Sequence, residues 1–113
     1  MAGEKTSMGM EQNVAGLLCY LVGWVSGLVF FLMEKENRFV RFHAMQSIVV
    51  SGALTILGLV LSPILVFSPL IAVLIWPVFY VVVVVLWILL MVKAYQNKLF
   101  KVPWAGNFAE KHI

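Results

Sequence analysis

The chain has 113 residues, of which 63% are hydrophobic and only 12% charged, with a mean hydropathy of +1.01. A soluble domain carries about a quarter charged residues, so a water-soluble monomer is excluded and one membrane-embedded domain is expected. The net charge of +3 comes from Lys and Arg flanking apolar runs, not from a nucleic-acid surface, and the lone Cys19 excludes an intrachain disulfide.

Residues 1–13 are polar (Gly3, Thr6, Ser7, Gly9, Gln12, Asn13) and read as a flexible leader. This leader is nearly neutral, with Glu4, Lys5 and Glu11, whereas a signal peptide needs a positive start. The apolar run after it also exceeds a signal's ~7–15 residues and has no small-x-small cleavage site, so a retained span is expected. Val14–Met33 holds no charge. Roughly 20 apolar residues cross a hydrocarbon core of ~30 Å at ~1.5 Å per helical residue, which predicts a first span over 14–33. The cluster Glu34-Lys35-Glu36-Asn37-Arg38 ends it.

From Phe42 to Val92 there are 51 residues without one Asp, Glu, Lys or Arg, enough for two spans and a tight turn. Pro63 is expected to end the second span, 42–62, because it cannot continue the helical ladder. Ser68-Pro69 then predicts an N-cap and a first-turn proline for the third, 69–92. The Val81–Val85 run would favour a strand in water. In lipid an unpaired strand leaves its backbone unsatisfied, so a helix is expected, kinked at Pro77. The tail, 93–113, interleaves Lys98, Lys101 and Lys111 with Tyr95, Phe100, Trp104 and Phe108, as suits the headgroup region. The expected class is thus an all-α integral membrane protein, with three transmembrane helices and an interfacial C-terminal segment in one domain, 14–113.

Three spans would place the leader and the 63–68 turn on one side, with Lys5 as their one basic residue. The 34–41 loop and the tail would share the other side with Lys35, Arg38, Arg41, Lys93, Lys98, Lys101 and Lys111. Basic residues stay cytoplasmic, which predicts a cell-membrane protein with its N-terminus outside and its C-terminus inside. A bilayer partner, anionic on the cytoplasmic side, is expected from the same charges.

Helices in lipid associate through small residues, and two faces offer them. One carries Gly16, Tyr20, Gly23 and Gly27; the other, on the second span, carries His43, Ser47, Ser51, Thr55, Gly58 and Ser62 at helical spacing. They are expected to pack on each other or on a second copy, and self-association or a membrane-protein partner follows. The third span, without small residues after Ala72 until it leaves the apolar run, should face lipid.

The least expected stretch is Glu34-Lys-Glu-Asn-Arg-Phe-Val-Arg-Phe-His-Ala-Met-Gln-Ser47. On a helix His43 meets Gln46 and Ser47 one turn on, so polar groups converge near the interface, where each needs a partner. Arg38 and Arg41 are placed to bind lipid phosphate or to pair with Glu34. This motif, with Asn13-Val-Ala-Gly-Leu-Leu-Cys-Tyr-Leu-Val-Gly-Trp24 and Trp87-Ile-Leu-Leu-Met-Val-Lys-Ala-Tyr-Gln96, resembles a family of small uncharacterised prokaryotic membrane proteins. That family is related to the twenty-kilodalton translocon component of the chloroplast inner envelope. The resemblance covers about residues 12–111 and implies protein import for the four-span plant relatives. It marks Arg38, Arg41, His43, Gln46 and Ser47 as a family signature.

No catalytic set is present: the spans lack Asp and Glu, Cys19 has no histidine on its own helix, and His43 and His112 have no ligand spacing. No metal or cofactor is expected. The leading expectation is a non-enzymatic membrane protein that assists transport or translocation of a peptide, protein or small solute as an oligomer. The alternative is an assembly or lipid-organising protein without a conduction path.

Overall fold

The first apolar run does not make one long helix. In the computed structural model, which describes Thr6 and residues 9–112, it divides into α1, Gln12–Leu21, and α2, Trp24–Met33. Most of the expected leader, Lys5 included, lies outside the described residues. Gly23 causes the division, because its φ of 65° and ψ of −135° belong to a region that L side chains avoid. Each half has ten residues, about 15 Å, or half a hydrocarbon core. The expected span over 14–33 is corrected accordingly.

Two longer helices follow. Arg38–Val66 forms α3 and Pro69–Tyr95 forms α4, and both are long and apolar enough to cross a membrane. The start of α3 is set by Asn37, whose side chain accepts from the Val40 amide at 3.2 Å. Contrary to expectation, α3 does not stop at Ser62 but passes through Pro63 to Val66. A proline removes one ladder bond, and in an apolar solvent the remaining helix is still the best way to satisfy the backbone. Pro69 takes the first-turn position of α4, while Ser68 gives no side-chain cap and only its carbonyl receives the Ala72 amide.

Contacts along α3 show the course of the N-terminal half. Going up α1, Gln12 bonds Asn37, Gly16 faces Phe39, Cys19 Sγ meets the Val40 carbonyl, and Tyr20 reaches His43 and Gln46. At the top Gly23 faces Ser47 and Ser51. Going down α2, Gly27 faces Ala44 and Ser47, the Phe31 carbonyl meets Arg41, and Glu34 receives the Asn37 amide. So α1 runs parallel to α3 and α2 runs back antiparallel: the pair is a helical hairpin. Its two feet, Gln12 and Glu34, stand at the same end of the molecule.

That end also receives the tail. Asn97 adopts φ 61° after α4, with bonds from the Asn97 amide to Ala94 O and from the Lys98 amide to Lys93 O, a Schellman turn built on Asn. The chain reverses there, runs beneath the helices, and ends in α5, Ala105–Lys111, packed against α3. Gln12 donates to Asn97 Oδ1 at 2.9 Å. Gln12, at the described end of the leader, therefore joins the 34–37 loop and the tail rather than the 63–68 turn, contrary to the expectation that the leader shares an end with that turn.

Burial follows this plan. Ala15, Cys19, Phe39, Val40 and Ala44 form one core between the hairpin and α3, with Phe30 and Phe31 against it, and Tyr20, Leu90 and Ala94 form a second. Further along, between Ser51 and Val82, only Leu65 is buried. The molecule is four helical segments thick at one end and two at the other.

Candidate functional site

Three of the five signature residues are turned inward. His43, Gln46 and Ser47 are buried on the face of α3 that meets the hairpin and the tail. His43 Nε2 lies 2.9 Å from the Lys98 carbonyl, which only accepts, so Nε2 carries a proton. His43 Nδ1, 2.6 Å from the Tyr20 hydroxyl, is then the acceptor of a neutral ring. The Tyr20 oxygen accepts in turn from Gln46 Nε2 at 2.9 Å. Gln46 Nε2 also donates to Phe100 O, and its Oε1 accepts from the Val102 amide, both at 2.9 Å. One relay thus links α1, α3 and the tail. Phe39, Phe42 and Tyr20 ring the imidazole edge-on, sealing it from solvent.

Ser47 serves the hairpin tip. Its hydroxyl donates to Gly23 O at 2.9 Å. Ser26 Oγ accepts from the Val22 amide at 3.0 Å and donates to Cys19 O at 3.0 Å, while the Trp87 indole donates to Tyr20 O. These side chains satisfy backbone groups that the break between α1 and α2 leaves outside the helical ladder. Among the described residues no buried side-chain nitrogen or oxygen lacks a partner.

Arg41 closes the descending foot. Its Nη1 donates to Phe31 O at 3.0 Å and to Glu34 O at 2.7 Å, and its guanidinium stands 4.2 Å from the Phe31 ring centre. A cation over the last carbonyls of α2 also suits the helix dipole. Glu34, fully buried, accepts the Glu36 and Asn37 amides at 3.0 and 2.9 Å. Arg41→Lys, which loses the planar fork, is expected to destabilise the 31–37 turn by about 1 kcal/mol. Faster amide exchange over 31–37, with α4 unchanged, checks it. Arg38 is exposed and stands apart from the relay, near enough to Glu110 to act on its charge.

The expected packing residues divide. Gly16 packs on Phe39 and Ala94, and Gly27 lies so close to α3 that a Cβ would fall 2.9 Å from Ala44 O. Gly23 is both the turn of the hairpin and the N-cap of α2; its carbonyl accepts the Gly27 amide at 3.1 Å, and both glycines face Ser47 of α3. The Ser51 and Thr55 hydroxyls donate back to Ser47 O and Ser51 O on their own helix, and Gly58 faces Phe79. Sequence reasoning put Tyr20 on a packing face without its hydrogen bonds, and missed Ser26, Trp87, Gln12 and Asn97 as partners. Tyr20 and Trp87 did carry a signal, because a polar tip in an apolar run needs a bond.

At the outer surface of the tail Lys101 pairs with Glu110 on α5. The hydrogen bond and charge of Lys101 hold the Glu110 carboxyl below its usual value of 4.5. A lowered folded value means that the pair's small, solvent-screened contribution is present above pH 4.5 and fades as acid protonates Glu110. Amide shifts of α5 should titrate below pH 4.5, and Lys101→Ala should move that titration upward.

A model of the magnetosome magnetite crystal formation protein family matches residues 4–109. The chain belongs to that family. It is also similar to membrane proteins of the UPF0132 group from archaea. One from Archaeoglobus fulgidus is 44% identical over 104 residues, covering 92% of this chain and 97% of the relative. Two from Methanocaldococcus jannaschii are 40% and 38% identical, covering 96% and 94% of this chain and 94% and 73% of theirs. No solved structure matches. These matches bear out the prokaryotic membrane family of the expected resemblance; they do not extend it to the chloroplast translocon.

Proposed function

We propose that this chain is a non-enzymatic membrane-organising protein, in which α3 and α4 cross the bilayer and the α1–α2 hairpin enters one leaflet and returns. The observation that carries the reading is the position of Gln12, bonded to both Asn37 and Asn97. Lys35, Arg38, Arg41, Lys93, Lys98, Lys101 and Lys111 all belong to the end so defined, and the 63–68 turn has no basic residue. The positive-inside rule then puts leader, loop and tail together in the cytoplasm. A cytoplasmic N-terminus and two spans replace the outside N-terminus and three spans.

The polar stripe on α3 favours organisation over transport. His43 and Ser47 hold the tail and the hairpin, and Ser51 and Thr55 bond their own backbone, so little of the stripe remains to line a path. The exposed basic side chains of the cytoplasmic end would gather anionic lipid, each by about 1 kcal/mol near the surface. Self-association would use the uncovered parts of α3 and α4, because Gly16 and Gly27 are filled within the chain. The family's description concerns magnetite crystal formation; for this chain the reading takes a role at a membrane and no iron chemistry.

Reconstitution tests it. Purified protein in vesicles with anionic lipid should pass no ion or dye above protein-free vesicles, while an anionic-lipid probe clusters with it. Protein-dependent solute flux would overturn the organising reading in favour of transport.

A further inference from the structure

The two ends of the molecule differ in a way that bears on the shape of the membrane. At the level of Gln12–Met33 and Arg38–Ser51 the section holds α1, α2, α3 and the C-terminal half of α4. Beyond Ser51 it holds α3 and α4 alone, with Gly52 open to space and Leu65 as the one buried residue before Val82. The step is held rigidly, since the hairpin tip is bonded to Ser47 and Trp87 and its foot to Arg41. The tail ends at the same thick end, where α5 packs against α3.

A helix with its side chains is about 10–12 Å across, so the hairpin adds roughly 160–220 Å² to one leaflet and nothing to the other. A bilayer relieves such a mismatch by bending, with the enlarged leaflet on the convex side. We infer that the protein is a rigid wedge that prefers, and at sufficient density produces, membrane curved convex toward the leaflet holding the hairpin. The inference rests on the re-entrant hairpin proposed above. It differs from curvature sensing by a surface helix, because the wedge is carried by an integral core and needs no folding on contact with lipid.

The test uses the full chain labelled at Phe67→Cys, on the exposed turn, and reconstituted into giant vesicles of neutral lipid with a minor anionic component. Nanotubes are pulled outward, so the outer leaflet of the tube is convex, and an impermeant quencher reports which end of the protein faces out. With the hairpin end outward, protein density in the tube relative to the vesicle should exceed one and rise as the tube narrows. With the hairpin end inward, it should fall below one. A ratio of one in both orientations, or the same sign in both, overturns the wedge. Failure of the topology is read separately in the same vesicles: Glu11→Cys labelling from the Phe67 side would remove the hairpin itself, whereas correct labelling with unsorted protein removes only the wedge.

Discussion

Gln46→Leu should be among the most destabilising single substitutions in the chain and should free the tail from the bundle. Leucine fills a similar volume, so packing is largely kept and the effect isolates the bonds. Three are lost: to the Tyr20 oxygen, to Phe100 O and from the Val102 amide. Two of the abandoned groups are backbone atoms with no helix to return to. An orphaned buried group costs about 1–3 kcal/mol, whereas hydrogen bonds between membrane helices average nearer ~0.6, so a loss of roughly 2–5 kcal/mol is expected. Thermal unfolding in nanodiscs gives the total, and amide exchange at Val102 locates it. His43→Ala removes the bonds to Tyr20 and Lys98 O and also empties the space its ring fills among Phe39, Phe42 and Tyr20, so it does not isolate the bonds as Gln46→Leu does. An unchanged melting temperature for Gln46→Leu would show that the relay does not hold the fold.

Gly27→Leu should part the hairpin from α3. A Cβ there would lie 2.9 Å from Ala44 O and 3.0 Å from Ser47 Cβ and Oγ. The first of these is helix backbone, which cannot rotate away, and a leucine adds three further carbons. Overpacking costs about 1–3 kcal/mol where neighbours can adjust, and here the upper end is expected. Gly23→Val acts on the same element by another route, placing a β-branched residue at φ 65° and ψ −135° at a cost of about 1–3 kcal/mol. Val85→Leu, on the exposed side of α4, should change stability by less than about 0.5 kcal/mol. Disulfide crosslinking of α2 to α3 and melting curves of the three variants measure the differences. Equal behaviour would contradict the close contact at Gly27.

These two sites also show what the sequence could disclose. The uncharged run from Phe42 to Val92 made α3 and α4 legible, since nothing but a membrane core accommodates it. Helical spacing alone put His43, Gln46 and Ser47 on one face, and that face is the buried one. Gly23 was harder. Val14–Met33 has the length of a span, and a glycine within a span usually marks close packing; its positive φ is a tertiary outcome. The clue lay in Ser26, three residues on, which is placed to satisfy a broken turn. Pro63 misled in the other direction, because the stop rule derives from helices that have water as an alternative. The aromatic and basic residues of the tail suit an interfacial segment. What holds it, the 2.9 Å bonds of Gln46 to Phe100 O and Val102 N, joins residues more than fifty apart and leaves no local pattern.

The hairpin is the centre of this account, and sided labelling tests it most directly. Single cysteines at Glu11, Lys35, Phe67 and Lys98, all exposed positions, are introduced while the buried Cys19 remains inaccessible. An impermeant thiol reagent is then applied to sealed membranes of known orientation. Cysteines at 11, 35 and 98 should react together from the cytoplasmic side and the one at 67 from the opposite side. If position 11 reacts together with position 67, the first apolar run crosses the bilayer and the hairpin does not exist in the membrane.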